Sequence, residues 1–222
     1  SCRLVCPTAK IYQASSSEMF GNTMDDDGFQ RETTQLMPVS PYGCAKVFAY
    51  NICRNYRNSY DMFISNGILF NHESPRRGSN FVTSKIVKGA IQIAAGKQDK
   101  LEMGNLDARR DWGHAKDYVR AMWMMLQQDN PDDFVCATGI SHSVKDVCEH
   151  VFKRLGMNYK DYVVVNQKYF RPEELDDLKG DSTKLRDSLN WKPEYDFYSM
   201  LDEMIEVKIQ EFGYNLKLEC RK

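Results

Sequence analysis

The stretch that decides the fold is the apolar run Met62-Phe63-Ile64-Ser65-Asn66-Gly67-Ile68-Leu69-Phe70. A run of this kind is typical of a strand in a parallel sheet that is covered on both faces. Working outward from it, the sequence predicts a helix over residues 42–59 and, before that helix, a strand over residues 10–16. Further strands and amphipathic helices alternate through the rest of the chain. This alternation predicts an α/β fold.

The composition argues against several classes of function. The chain has 222 residues, with 30 Lys and Arg against 31 Asp and Glu, so the formal net charge is -1. A general nucleic-acid binder usually carries a basic excess, and no apolar run approaches the ~20 residues that a membrane helix needs. The 7 cysteines and 4 histidines show no zinc-type spacing. We therefore expect no nucleic acid, no membrane, no metal, and a cytoplasmic protein with reduced thiols.

The pattern Tyr42-x-x-x-Lys46 stands at the head of the predicted helix, behind Ser40-Pro41. Serine fits the N-cap, and proline fits the first helical position. Residues four apart lie on one helix face, and a Lys ammonium beside a phenol favours the phenolate. Such a Tyr can exchange protons near neutral pH. Taken alone, the pattern is better explained by a half-buried Tyr beside a surface Lys.

A second group of polar residues ends the first predicted strand, in the order Ser15-Ser16-Ser17-Glu18. Glu18 follows Ser16 by two residues, so in a strand it projects to the same side. One carboxyl group can remove a proton and then protonate a departing hydroxyl. Turn chemistry explains the serines as well, and a solvated carboxylate at a loop edge explains Glu18.

The serine run followed by Ser40-Pro41-Tyr42-Gly43-x-Ala45-Lys46 resembles the extended short-chain dehydrogenase/reductase family. Longer segments resemble the GDP-mannose 4,6-dehydratase branch of that family. These segments are Gln13 to Gly21, Gly67-Ile68-Leu69-Phe70-Asn71-His72-Glu73-Ser74-Pro75-Arg76-Arg77-Gly78, Asn80-Phe81-Val82-Thr83-x-Lys85, Gly104 to Tyr118, Tyr169-Phe170-Arg171-Pro172-x-Glu174 and Leu189-Asn190-Trp191-Lys192-Pro193. Ser16 stands where the branch usually has Thr. The substitution keeps the hydroxyl and loses a methyl group that restricts its rotamer.

The resemblance implies a catalytic triad of Ser16, Tyr42 and Lys46, with Glu18 as the acid and base of a dehydration. It places two further residues, His72 and Arg77, at an NADP cofactor that Tyr42 and Lys46 also contact. The substrate-binding residues that it implies are Asn71, Val82, Lys85, Arg110, Arg171 and Glu174. Without the resemblance, His72 is equally a loop histidine bonded to backbone, and Arg109-Arg110-Asp111 is equally a solvated cluster of ion pairs.

A glycine-rich turn of the type that holds a dinucleotide pyrophosphate does not occur in this sequence. The expectation is therefore a partial Rossmann-like domain without its N-terminal half, in residues 1–70 and 108–138, and a smaller α/β substrate subdomain in residues 71–107 and 139–222. Either the chain is a fragment or the gene product has lost that half. NADP, rather than NAD, follows from the resemblance alone.

The activity that the resemblance implies is conversion of GDP-mannose to GDP-4-keto-6-deoxy-mannose by a homo-oligomer, a dimer or a tetramer. Two alternatives stay open. One is an epimerase or dehydratase of the same family that acts on another nucleotide-sugar. The other is a non-catalytic fragment that binds a GDP-sugar.

Overall fold

The computed structural model describes residues 1–170 and 173–220, and the chain forms two compact units. The first unit comprises Ser1–His72, Asp111–Ser141 and Asp177–Glu194, and the second comprises Glu73–Arg110, His142–Asp176 and Tyr195–Lys222. The helices are α1 (Cys2–Val5), α2 (Pro41–Tyr60), α3 (Val82–Ala94), α4 (Ala115–Leu126), α5 (Val144–Arg154), α6 (Thr183–Leu189) and α7 (Phe197–Phe212). The strands are β1 (Ile11–Ser16), β2 (Ile64–Leu69), β3 (Asn71–Glu73), β4 (Leu101–Met103), β5 (Arg109–His114), β6 (Asp133–Cys136), β7 (Ser141–Ser143), β8 (Val163–Val165) and β9 (Asp177–Leu178).

A parallel sheet in the order β1-β2-β6 forms the centre of the first unit. Ser16 at the end of β1 is aligned with Leu69 at the end of β2, and Leu69 is aligned with Cys136 of β6. Every residue of β2 is buried, as expected of a strand covered on both faces. The predicted α/β fold with a parallel sheet is confirmed, and the carboxyl ends of three strands meet at one edge.

Helix α2 lies against this sheet and begins where the sequence predicts. Ser40 is its N-cap, accepting a hydrogen bond from the backbone N–H of Gly43 at 3.0 Å, and Pro41 follows at the first helical position. Two side chains from later turns, Tyr50 and Arg57, bind the buried carboxylate of Asp133 in β6. The helix is thereby fixed along its length to the sheet.

One sequence prediction is wrong in detail. The sequence predicts a loop over residues 104–113, yet strand β5 begins inside this range, at Arg109. The carboxylate of Asp111 in this strand is fully buried and accepts hydrogen bonds from the backbone N–H groups of Thr138 and Gly139, both at 2.8 Å. Asp111 is therefore not part of a solvated cluster. These donors make its burial possible, although burial still raises its pKa to about 6.

The segment Asp177–Glu194, which the sequence assigned to the substrate subdomain, groups with the first unit. Its contacts explain this grouping. Ser182 Oγ donates to the carbonyl of Ala137 at 2.9 Å, and Lys184 Nζ donates to the carbonyl of Asp133 at 2.9 Å. Both carbonyls belong to β6 or to the residue that follows it.

The second unit has a helical core and a small parallel sheet. Helices α3, α5 and α7 pack together through fully buried residues such as Ile86, Val147 and Ile205. Strands β4 and β8 pair in parallel, with Leu101 aligned with Val163. The carboxylate of Asp202 joins α7 to α5 by binding His150 at 2.8 Å and Arg154 at 2.9 Å. Within residues 1–170 and 173–220, no helix is long and apolar enough to cross a bilayer.

Candidate active site

The end of β1 carries the first two candidate residues. Ser16 is the last residue of the strand, and its Oγ accepts a hydrogen bond from the backbone N–H of Glu18 at 3.2 Å. This bond starts a short 3-10 helix, Ser17–Phe20, in which Met19 and Phe20 are completely buried. Burial of these two side chains fixes the turn and leaves Glu18 half-buried on its other side.

Tyr42 and Lys46 occupy the first turns of α2. The Tyr42 side chain is 53% exposed, so its phenol is accessible to a ligand. Lys46 Nζ lies 5.5 Å from the centre of the Tyr42 ring and donates a hydrogen bond to the carbonyl of Ala14 in β1 at 2.7 Å. The ammonium group is therefore held between the tyrosine and the strand that ends at Ser16.

Ser40 connects the carboxylate of Glu18 to α2. Its Oγ donates to Glu18 Oε2 at 3.2 Å while accepting the capping bond from Gly43. A Cβ atom at Gly43 would lie 2.8 Å from Pro38 Cβ and 2.9 Å from the Glu18 carbonyl oxygen, so only glycine permits this approach. The sequence identified Ser40 as a cap but did not reveal its bond to Glu18, which lies 22 residues earlier.

His72 follows the central strand β2 and is fixed by two contacts within the first unit. Its Nδ1 lies 2.8 Å from the carbonyl oxygen of Phe70, and its ring stacks on Tyr118 with a centroid distance of 4.9 Å. Because a carbonyl only accepts, Nδ1 carries the proton. The orientation of the imidazole is thus determined by the backbone and by Tyr118. Asn71, one residue earlier, is half-buried at the start of β3.

Arg77 belongs to the second unit and is held by Glu73. The Arg77 Nε lies 3.0 Å from Glu73 Oε2, and the guanidinium carbon lies 3.5 Å above the centre of the Phe81 ring. The carboxylate of Glu73 is almost completely buried, at 1% exposure. The sequence singled out Arg77 but gave no signal for its partners.

Lys85 lines a cavity of about 440 Å³ in the second unit. Its Nζ donates to the carbonyl of Glu102 at 2.6 Å and lies 4.0 Å above the ring of Tyr169. Two further lysines, Lys88 and Lys100, line the same cavity and were not predicted. Val82, the first residue of α3, is half-buried.

Arg110 bonds to backbone close to Glu174. Its Nη1 donates to the carbonyl oxygens of Arg109 at 2.6 Å and of Leu175 at 2.7 Å. Glu174 itself is half-buried. Arg171, the remaining candidate for substrate binding, lies outside the described residues.

A family profile described as GDP-mannose 4,6 dehydratase matches residues 2–204 of the chain. The chain belongs to this family. GDP-mannose 4,6 dehydratase 2 of Arabidopsis thaliana is 51% identical over 203 residues, which cover 91% of this chain and 54% of that relative. Among the first curated relatives that match, the chain spans between 54% and 64% of their length.

Solved structures show the same fold at low sequence identity. A dTDP-glucose 4,6-dehydratase from Bacillus anthracis in complex with NAD is 22% identical, with a TM-score of 0.83 over 96% of this chain and 65% of that chain. RMD from Pseudomonas aeruginosa complexed with NADPH is 19% identical, with a TM-score of 0.80 over 90% of this chain and 66% of that chain. These likenesses concern the fold.

Proposed function

We propose that this chain carries the proton-transfer groups of a lyase that converts GDP-mannose to GDP-4-keto-6-deoxy-mannose with loss of one water. The observation that carries the proposal is the carboxylate of Glu18, which Ser40 joins at 3.2 Å to the helix of Tyr42 and Lys46. An epimerase or reductase needs only the Tyr and its partners. A dehydratase needs an additional acid and base, and Glu18 is a carboxyl group at the right end of the strand.

Tyr42 takes the proton of the C4 hydroxyl group in this proposal. Lys46 stabilises the negative charge that develops on the phenol oxygen, because its ammonium group is fixed by the carbonyl of Ala14. Ser16 would hold the same sugar hydroxyl through its own Oγ proton. Its lone pairs already accept from the backbone N–H of Glu18, which leaves the hydroxyl proton to be donated.

Glu18 acts on the neighbouring carbons. As a base it removes the C5 proton, which is acidic once C4 is a ketone, and as an acid it returns that proton to the departing C6 hydroxyl. The proton taken from C5 leaves in the water. The count balances because C5 regains one proton when the hydride returns to C6, which equals the proton that Tyr42 took from the C4 hydroxyl. The hydrogen bond from Ser40 holds Oε2 of this carboxylate in place at 3.2 Å.

The proposal includes a nicotinamide cofactor, which accepts a hydride from the sugar and later returns it. Each residue proposed to contact the cofactor offers a suitable donor: the phenol of Tyr42, the ammonium of Lys46, the oriented imidazole of His72 and the guanidinium of Arg77. Cations and N–H donors suit phosphate and ribose oxygens. The structural relatives named above are complexes with NAD or with NADPH. We propose NADP, on the resemblance alone.

The residues proposed to contact GDP-mannose are Asn71, Val82, Lys85, Arg110, Arg171 and Glu174. A guanidinium suits the diphosphate, and the lysine-lined cavity around Lys85 suits an anionic nucleotide. The division into a cofactor-binding part and a GDP-sugar-binding part, the cytoplasmic location and the homo-oligomer remain predictions.

The test is an assay of GDP-mannose by mass spectrometry with the full natural chain and added NADP. We expect loss of one water in the wild type, and none in Glu18→Gln, which keeps an oxygen for the bond from Ser40 but cannot accept the C5 proton. Asp26→Asn is the matched control, because Asp26 is an exposed carboxylate of the following loop. Undiminished turnover in Glu18→Gln would refute the role of Glu18. Faster turnover of a UDP- or dTDP-sugar would refute the substrate.

A further inference from the structure

Glu73 is a buried carboxylate that the proposed reaction does not use. It is the last residue of β3, and only 1% of it is exposed. A charge at this depth is costly unless other groups bind it. Burial raises the pKa of Glu73 to about 7, against the effects of Arg77 and Thr83. The groups around Glu73 indicate what its buried carboxylate does.

Glu73 and residues of or next to α3 hold Arg77 in one position. Thr83 Oγ1 donates to Glu73 Oε2 at 2.6 Å, and Arg77 Nε lies 3.0 Å from the same oxygen. Phe81 covers the face of the guanidinium at 3.5 Å. Ser84 Oγ donates to the carbonyl of Arg77 at 3.2 Å, which also ties the backbone to α3.

This arrangement determines which nitrogens of Arg77 can bind a ligand. Nε lies at ion-pair distance from the Glu73 carboxylate, 3.0 Å, without meeting the geometry of a hydrogen bond, and one face of the guanidinium plane lies on the Phe81 ring. Among the residues that the structure describes, no hydrogen bond is made by Nη1 or Nη2 of Arg77. Two parallel N–H groups on one edge of a guanidinium match two oxygens of a phosphate.

We propose that Glu73 is a positioning residue that orients Arg77 toward a phosphate group of the dinucleotide cofactor. The inference rests on the proposed function, in which Arg77 binds that phosphate. Glu73 does not touch the cofactor in this proposal. Its carboxylate holds the Nε edge so that both Nη groups are presented together.

The direction in which Glu73→Gln changes the affinity for an anion distinguishes positioning from a purely electrostatic effect. At a pH above about 7, where Glu73 is ionised, Glu73→Gln removes a negative charge next to Arg77, and Coulomb attraction alone would then make an anion bind more tightly. Loss of positioning makes the anion bind more weakly. The glutamine is close in shape and keeps an acceptor for Thr83, so the packing of α3 is little changed.

The experiment is a fluorescence titration of the full natural chain with NADPH, without substrate. We expect Arg77→Met to raise the Kd about 10- to 100-fold, the range for lost hydrogen bonds to charged groups, and Glu73→Gln to raise it about tenfold. In the Arg77→Met background, Glu73→Gln should add nothing, because it acts through Arg77. Thr83→Val should weaken binding less. Arg76→Met, at the exposed neighbouring arginine, should leave the Kd unchanged.

The possible outcomes distinguish the positioning role of Glu73 from the proposed role of Arg77 at the cofactor. Unchanged or tighter binding by Glu73→Gln, with weaker binding by Arg77→Met, overturns the positioning role and leaves Arg77 at the cofactor. An equal loss from Glu73→Gln in both backgrounds also overturns it, because that pattern indicates general loss of structure. Unchanged binding by Arg77→Met overturns both roles. Absence of GDP-mannose turnover with the expected coupling intact refutes the dehydratase and leaves the positioning role standing.

Discussion

Asp133→Asn should be one of the most destabilising single changes in the first unit. The Asp133 carboxylate accepts hydrogen bonds from Arg57 at 2.9 and 3.0 Å, from Asn66 at 2.7 Å and from Tyr50 at 3.1 Å. Burial opposes its ionisation, but these donors outweigh burial and hold its pKa below the usual value. The carboxylate joins β6 to β2 and to α2, the helix that carries Tyr42.

The size of the expected loss in the free energy of unfolding follows from the burial of Asp133 and Arg57. The side chains of Asp133 and Arg57 are 7% and 14% exposed, so the asparagine leaves a buried guanidinium without its counter-charge. Breaking a buried pair in this way costs about 3–5 kcal/mol. The neighbouring pair of Asp132 and Lys184, at 2.7 Å, has side chains that are 51% and 36% exposed. Its loss in Asp132→Asn should cost about 1 kcal/mol or less.

Urea denaturation of the two variants and the wild type measures this difference. We expect a much lower midpoint for Asp133→Asn and a nearly unchanged midpoint for Asp132→Asn, with the same dependence on urea in each case. A loss of about 3–5 kcal/mol is a large part of the ~5–15 kcal/mol that stabilises a typical domain. Equal midpoints for the two variants would refute the reasoning from burial.

Three further predictions concern the candidate site. Tyr42→Phe removes a phenol oxygen from a side chain that is 53% exposed, so GDP-mannose turnover should fall about 10²- to 10⁴-fold with no change in melting temperature; normal turnover would exclude Tyr42 as the base. Burial raises the pKa of Glu73 to about 7. The contribution of Glu73 to the free energy of unfolding is therefore complete below its unfolded-state pKa and is lost as the pH rises through 7. The fall in urea midpoint between about pH 5 and about pH 8 should therefore shrink in Glu73→Gln, and an identical fall would contradict the burial argument. Gly43→Ala places a Cβ 2.9 Å from the Glu18 carbonyl oxygen, so the free energy of unfolding should fall by about 1–3 kcal/mol, as urea denaturation would show. GDP-mannose turnover should fall as well, as the mass-spectrometric assay would show.

Local patterns in the sequence predicted the elements that carry the proposed chemistry. The apolar run 62–70 contains β2, which is buried throughout, and Ser40-Pro41 starts α2. The spacing of Tyr42 and Lys46 put both on one helix turn. These properties depend on residues a few positions apart, so periodicity and capping preferences are enough to predict them.

Other features could not be predicted because they depend on groups that are far apart in the chain. Asp111 appeared solvated among charged neighbours, yet donors 27 and 28 residues away allow its burial in β5. Helix α6 joined the first unit through Lys184, which binds a carbonyl 51 residues earlier.

The sequence by itself therefore determined the α/β class, the family and the residue types of the site. Only the tertiary structure decided which groups hold those residues: Ser40 for Glu18, the Ala14 carbonyl for Lys46, and Glu73 with Phe81 for Arg77. The physical reason is that hydrogen bonds and ion pairs act over about 3 Å. Periodicity and capping reveal how neighbours in the chain are arranged, whereas these contacts form only after folding brings their groups within that distance.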